Sequence, residues 1–439
     1  MSESEGAGAG DLLKAGAASL IVSLVLVGGF AGAGFLLGGK LPKAPPEELT
    51  LHDARAFYKA QPRYLRPLPY SETPAGLANL RAETCGTCHN EIYEEWRVST
   101  HARAWEDDAQ FQEELKKGKH TPGKDTTWIC ANCHTPLENQ LPFLVAGLVD
   151  GKRDQPRYLK NPNHDARLQL EAVTCATCHV RDGVVLGPYG NTKAPHPVRK
   201  APELLEASLC TQCHQAKAHL DDIALACVFD TGLEWKEGPA AQRGETCQHC
   251  HMPEVERPLM PGFPKRKTRR HWFGGSLIPK HPKFEAELKE VRKHYDDGVT
   301  LRWVELPEQV RAGQELELRF AAKNEHAGHH VPSGDPERFL LLRAEVRVGE
   351  TVLASREERI GAVYEWEPVK KVSDNRLAAG EERTWSLKFA APAEGGELKL
   401  VLVASKHRIS QENFDYHHLE GRYVAGREYL REERALPLR

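Results

Sequence analysis

Five stretches of this 439-residue chain repeat one arrangement of reactive side chains: Cys85-Gly-Thr-Cys88-His89, Cys130-Ala-Asn-Cys133-His134, Cys175-Ala-Thr-Cys178-His179, Cys210-Thr-Gln-Cys213-His214 and Cys247-Gln-His-Cys250-His251. Two thiols separated by two residues reach the two vinyl groups on one edge of a porphyrin, and the histidine that follows is carried under the ring, where its imidazole ligates iron. A Cys-x-x-Cys pair also serves redox dithiols and zinc knuckles. Neither alternative calls for a histidine after every one of five pairs, and the five motifs consume ten of the eleven cysteines. The pattern predicts five covalently attached haem c groups, held by those ten cysteines, with His89, His134, His179, His214 and His251 as proximal iron ligands. The leftover Cys227 sits in the apolar stretch 223–229 and reads as a small buried hydrophobe.

The sixth iron ligands separate an electron carrier from a catalyst. Apart from Met1 the chain has only Met252 and Met260, so methionine ligation is nearly excluded and paired histidines must dominate, with low potentials as the consequence. Of 21 histidines, 16 remain after the proximal five, too many for counting to show that every iron is capped.

The elements that must position these motifs differ along the chain. Residues 15–39 form an apolar run without charge, long enough as a helix to cross a hydrocarbon core of roughly 30 Å. The expectation is an N-terminal transmembrane helix within a membrane anchor over 1–40. A Pro-rich spacer over 41–78 follows, then a pentahaem domain over 79–297 that is mainly helical and loop-rich with little sheet. Short alternating runs such as 300–306, 315–320, 339–348, 384–389 and 398–403 predict an antiparallel β-sandwich over 298–407, and 408–439 reads as a tail. The fold class expected is therefore α+β and multidomain. A thin protein core between motifs implies that haem faces supply much of the buried apolar surface.

A formal charge of -3 and a pI near 6.7 describe a mixed surface with no basic field, which argues against nucleic acid as a partner. Haem propionates would make the mature protein more acidic still.

The stretch Glu91-Ile-Tyr-Glu-Glu-Trp96-Arg-Val-Ser99-Thr-His101, directly after the first motif, resembles the multihaem cytochrome c family that includes the tetrahaem electron acceptor of hydroxylamine oxidoreductase. Similar matches are Asn163-His164, Gly187-Pro188-Tyr189 with Ala194-Pro195-His196, and Arg270-His271-Trp272-Phe273-Gly274-Gly275. Ala327-Gly328-His329-His330-Val331-Pro332-Ser333-Gly334-Asp335-Pro336 is similar to a signature in related multihaem proteins whose histidine after Gly caps a haem. Carried over position by position, the resemblance implies His101, His164, His196, His271 and His329 as distal ligands, with His330 the rival of His329 and His219 a further possibility. The fifth motif, the apolar N-terminus and the long β region depart from the tetrahaem pattern, so substrate and partner identity do not transfer.

The function expected is electron transfer between redox partners by a membrane-anchored, extracytoplasmic pentahaem cytochrome with closely packed bis-histidine haems. Its place would be the inner membrane, single-pass, with the haem and β domains in the periplasm. The rival is a multihaem oxidoreductase acting on a small nitrogen or sulfur compound at an open haem. No Cys-x-x-Cys-Lys variant occurs, so the lysine-ligated haem of pentahaem nitrite reductases has no counterpart. The β domain is expected to act as a lid, with assembly of a larger array as the other possibility.

Overall fold

Helix α1 (Leu51–Ala60) begins at a reciprocal cap: the Thr50 hydroxyl accepts from the Asp53 amide at 3.2 Å while the Asp53 carboxylate accepts from the Thr50 amide at 2.9 Å. Its Leu51, Ala54, Phe57 and Tyr58 recur at helical spacing and pack against strand β1 (Phe143–Leu148), which pairs antiparallel with β2 (Pro156–Lys160). The Pro-rich stretch is thus not irregular throughout, because no proline falls between Pro46 and Pro62. The computed structural model describes residues 48–117, 123–190, 193–220, 225–366, 368–394 and 396–439. From Thr50 to Arg439 the chain forms one unit.

The motifs lie on or beside short helices: α2 (Ala82–Gly86) with α3 (Asn90–Arg97) after it, α4 (Thr127–His134), α5 (Cys175–His179), α6 (Ala207–Cys210) and α7 (Cys247–His251). A helical turn places positions i, i+3 and i+4 on one face, so both cysteines and the histidine of a motif address the same side. Between these helices the chain reverses through small sheets. They are β1-β2, then β3 (Val180–Arg181), β4 (Val184–Gly187) and β5 (Val198–Lys200), then β6 (Ala216–Leu220) with β7 (Leu225–Phe229), and β8 (Glu254–Pro258) with β9 (Lys265–Arg269).

The expectation of a sheet-poor haem segment is therefore corrected. Nine strands in four sheets occupy it among the described residues. Two to six residues per strand are too few for alternation to stand out against helical spacing. The signal that was present is the dipeptide Asp182-Gly183, both at positive φ (54° and 68°), which joins β3 to β4 as a two-residue hairpin turn.

The C-terminal region holds two antiparallel sheets around one apolar core. A three-stranded sheet runs β10 (Val299–Val304), β11 (Glu315–Asn324), β15 (Glu382–Ala390). A five-stranded sheet has the order β14 (Val369–Asp374), β13 (Thr351–Trp366), β12 (Phe339–Val348), β16 (Gly396–His407), β17 (Gly426–Leu438). Phe320, Leu318 and Leu387 from the first sheet meet Leu340, Leu342, Leu400 and Leu402 from the second in one cluster. The segment read as a tail contributes β17, which pairs with β16 from Gly396↔Leu438 to His407↔Gly426.

The expected transmembrane helix and the single-pass inner-membrane location are likewise corrected. No helix among the described residues is long and apolar enough to cross a membrane, and the run 15–39 itself lies outside the described residues.

Leu342 is fully buried at the centre of the larger sheet, whereas Val352 on β13 is half exposed. Leu342→Ala is expected to destabilise the protein by about 2–5 kcal/mol and Val352→Ala by less than about 0.5 kcal/mol. Denaturant titration of both variants checks the contrast.

Candidate haem centres

Four of the five motif imidazoles are locked by a backbone carbonyl. His89 Nδ1 donates to Leu259 O at 2.8 Å, His134 Nδ1 to Ala104 O at 2.5 Å, His179 Nδ1 to Leu186 O at 2.9 Å, and His251 Nδ1 to Gly274 O. A carbonyl only accepts, so the proton sits on Nδ1 and the Nε2 lone pair is left for a metal. Gly274 is required where it stands. A Cβ there would lie 2.4 Å from the Tyr295 ring, whose hydroxyl donates to His251 O at 3.1 Å.

Three motif imidazoles stand opposite three of the histidines implied by the resemblance, all at one separation. His101 faces His214, His271 faces His179 and His329 faces His251, with ring centroids 6.2 Å apart in each pair. Two imidazoles bound end-on to one metal ion at about 2 Å each would put their centroids roughly 6 Å apart. The pairs differ in ring angle: 6° for His251 and His329, 36° for His179 and His271, 47° for His101 and His214. Burial holds His101 down to about 3, and His214 and His271 down to about 4, so all three stay neutral, the metal-binding form.

The elements around each pair explain its placement. Trp96 Nε1 donates to Val173 O at 2.9 Å and the Val173 amide donates to His101 O at 3.2 Å. The Ser99 hydroxyl accepts from the Ala102 amide at 3.3 Å, which closes the turn carrying His101. His271 Nδ1 donates to Arg269 O at 2.9 Å, and His329 Nδ1 donates to His330 O at 2.8 Å. Phe273, at a φ of 49°, lies 4.5 Å from the His101 ring and 5.7 Å from the His271 ring, between two of the pairs.

The other implied ligands are placed differently. His330 Nδ1 lies 3.7 Å from Glu234 Oε1, whereas the neighbouring His329 ring faces His251. His196 keeps an enclosed Nδ1 with no hydrogen-bond partner, on a loop that passes so close to Gly76 that a Cβ there would meet Pro195 O at 2.3 Å. His164 is not brought to a motif histidine; its Nε2 meets Gln169 Oε1 at 3.0 Å. Phe111 stacks flat on His134 at 3.7 Å, and among the described residues no imidazole faces His134 or His89 at the 6.2 Å separation. The His219 side chain lies outside the described residues.

The motifs also approach one another. The Cys85 side chain lies beside that of Cys175, Cys133 beside Cys213, and Cys210 beside Cys247, which sets the first motif against the third, the second against the fourth and the fourth against the fifth. Cys227 is enclosed near Cys130 and Cys213, and burial pushes its thiol well up. His101, His134, His179, His271 and His329 are partly buried, and His214 is exposed. Paired cysteines, carbonyl-locked imidazoles and opposed imidazole pairs together fit haem c.

Several supporting residues carry no sequence signature. Asn324 Nδ2 donates to His329 O at 2.8 Å and to Leu377 O at 3.0 Å, tying the His329 loop to the β region. Buried Glu234 accepts from Ser333 Oγ at 2.6 Å and from the Arg376 guanidinium at 2.5 Å. Arg181 donates to the carbonyls of Ala176, Thr177 and Val180 around the end of α5. The one usable hint is that Arg181 stands two residues after the motif histidine His179.

A family model described as cytochrome c554 and c-prime matches residues 84–180, the span of the first three motifs. No curated protein matches the chain. Among solved structures, one of AvmM, which catalyses macrocyclisation in alchivemycin A biosynthesis, shares 9% identity over 33% of this chain and 89% of that chain, with a TM-score of 0.21. A CARDB domain from Pyrococcus furiosus shares 14% identity over 32% of this chain and 84% of that chain, TM-score 0.18. The complex of zinc 2-glycoprotein with prolactin inducible protein from human seminal plasma shares 10% over 31% and 91%, TM-score 0.18. At such TM-scores these structures carry no argument. The family match supports a c-type cytochrome with covalently bound haem c and, in general, an electron-transfer role.

Proposed function

We propose that this chain is a pentahaem c-type cytochrome that transfers electrons between protein redox partners through closely packed haems, most of them ligated by two histidines. The observation that carries the reading is the set of three opposed imidazole pairs at one 6.2 Å separation, each joining a motif histidine to a histidine outside any motif. In this reading His271 caps the third haem, His101 the fourth and His329 the fifth. For the first and second haems, His196 with its unpartnered Nδ1 is the better candidate, since His164 Nε2 already meets Gln169.

Haem c, held by the motif cysteines and by the motif and opposed histidines, would supply one-electron exchange. The chain's own residues do the rest. Carbonyl bonds to Nδ1 hold the imidazoles in one tautomer and one orientation, so little rearrangement accompanies a change of charge. Desolvation keeps the His101, His214 and His271 rings neutral. Cysteines of different motifs are neighbours, which would place the haems they hold close to one another. The β region acts as a lid that carries His329.

A second reading, reduction or oxidation of a small nitrogen or sulfur compound, is favoured by one observation. Phe111 rather than an imidazole is the ring neighbour of His134 among the described residues. A high-spin ferric signal from one haem, displaced by nitrite, hydroxylamine or cyanide, would favour that reading over a pure carrier.

Five haems are expected per mature chain by pyridine haemochrome assay and intact mass, and Cys247→Ser with Cys250→Ser is expected to leave four. A full complement in that double variant would remove the fifth site from the proposal. His101→Ala, His271→Ala and His329→Ala are each expected to convert one low-spin haem to high spin in the ferric electron paramagnetic resonance spectrum. His330→Ala is expected to leave the low-spin signals in place, and the reverse pattern for His329 and His330 would exchange their roles.

A further inference from the structure

Glu95 lies on α3, six residues after His89, and its side chain is buried. A carboxylate withdrawn from water persists only where charge and hydrogen bonds surround it. Four hydrogen bonds reach this one. Arg257 approaches with both terminal nitrogens, at 2.7 Å and 3.0 Å, the Arg270 guanidinium approaches the same oxygen as the first, and the His271 backbone amide donates at 2.8 Å. Arg257 is buried too, and its other bonds go to Thr268 Oγ1 at 3.0 Å and to Arg269 O at 2.9 Å. Arg269 O is the carbonyl that accepts from His271 Nδ1.

The carboxylate, the Arg257 guanidinium and the Arg269 carbonyl thus form a closed frame around His271. One side fixes its backbone, the other fixes its ring, and the ring faces His179. Trp96 gives α3 a second anchor, through its bond to Val173 O. Arg270 also lies 4.7 Å from the centre of the Trp272 ring, so the residues on both sides of His271 are held.

We infer that Glu95 is the positioning residue for His271, holding the distal imidazole of the third haem from the helix that leaves the first motif. The inference rests on the reading of His271 as that ligand. Glutamine has the size of glutamate without its charge: one end of its amide still accepts, while the N–H end faces donors that it cannot bond. The segment 269–272 then loses its clamp, and the His271 ring turns or withdraws.

The test uses the haem-loaded full chain and ferric electron paramagnetic resonance, with haem content measured alongside. His271→Ala identifies which low-spin signal belongs to the third haem. Glu95→Gln is expected to keep five haems and to shift that signal, one haem in five, in its g values or to high spin. Glu95→Asp is expected to restore it in part. Arg270→Gln, whose side chain is partly exposed and leaves the Glu95–Arg257 pair intact, is expected to shift the same signal less. If His271→Ala removes a low-spin signal while Glu95→Gln and Arg270→Gln leave it unmoved, Glu95 does not position the ligand. Loss of haem in Glu95→Gln with no shift in Arg270→Gln overturns the inference as well, because it marks a merely structural residue. If His271→Ala changes no signal, the ligand assignment itself is wrong, and that failure is distinct.

Discussion

An imidazole that binds a metal through Nε2 still has two freedoms, its tautomer and its rotation, and a single hydrogen bond from Nδ1 to a carbonyl removes both. The same device recurs at His89, His134, His179 and His251 on the motif side, and at His271 and His329 opposite. Everything else in the haem segment can be understood as a means of delivering those carbonyls. Leu186 O comes from β4, one turn of chain beyond its motif. Leu259 O reaches His89 from 170 residues away in sequence, and Gly274 O reaches His251 from the loop after β9. Short hairpins serve this purpose better than long helices, because a carbonyl pointing sideways from a turn is free to accept, whereas a helical carbonyl is already engaged.

The β region belongs to the site as much as to the scaffold. Its loop between β11 and β12 brings His329 to His251, and the loop is held at both ends by buried polar groups, Asn324 on one side and Glu234 on the other. Gly238 and Gly328 let the two backbones meet. A Cβ on Gly238 would lie 2.7 Å from Gly328 O, and one on Gly328 would lie 2.7 Å from Ala240 Cβ. Glu234 takes Arg376 from beyond β14 and Ser333 from the same loop, and Arg376 is held as well by Asp374 through two bonds of 2.9 Å. A contact so dependent on charge and close approach fixes geometry more than it adds stability.

Buried ion pairs therefore mark the joints between segments: Glu95 with Arg257, Glu234 with Arg376, and Asp108 with Lys280. Each joins parts of the chain far apart in sequence, and each stands close to a histidine of the proposed haem sites or to the loop that carries one. Burial draws Lys280 down to about 8 while Asp108 beside it acts in the opposite sense. Apolar clusters in the haem segment are small, such as Leu80, Leu137, Leu168, Ala176 and Val180, in contrast to the single large core between the two C-terminal sheets. A segment built this way relies on specific polar joints because it has little continuous core of its own.

Attachment chemistry was legible in the residues alone, since Cys-x-x-Cys-His encodes two bonds and one ligand within five consecutive positions, and no folding is needed to bring them together. The strands of the C-terminal region were legible for a similar reason: alternation over six to ten residues records which face is buried. The two- to six-residue strands of the haem segment left no such record, and the apolar run near the N-terminus could be read only as length and composition, not as a helix in place. Histidines outside the motifs were nominated by resemblance, but which of them stand opposite a motif imidazole was decided by tertiary structure, as His329 against His330 shows. An opposed imidazole pair joins residues 78 to 113 positions apart, and nothing local distinguishes a histidine that will meet such a partner from one that will meet Glu234 or Gln169. Covalent attachment is a property of neighbours along the chain, whereas axial ligation and the charges that hold it are properties of neighbours in space.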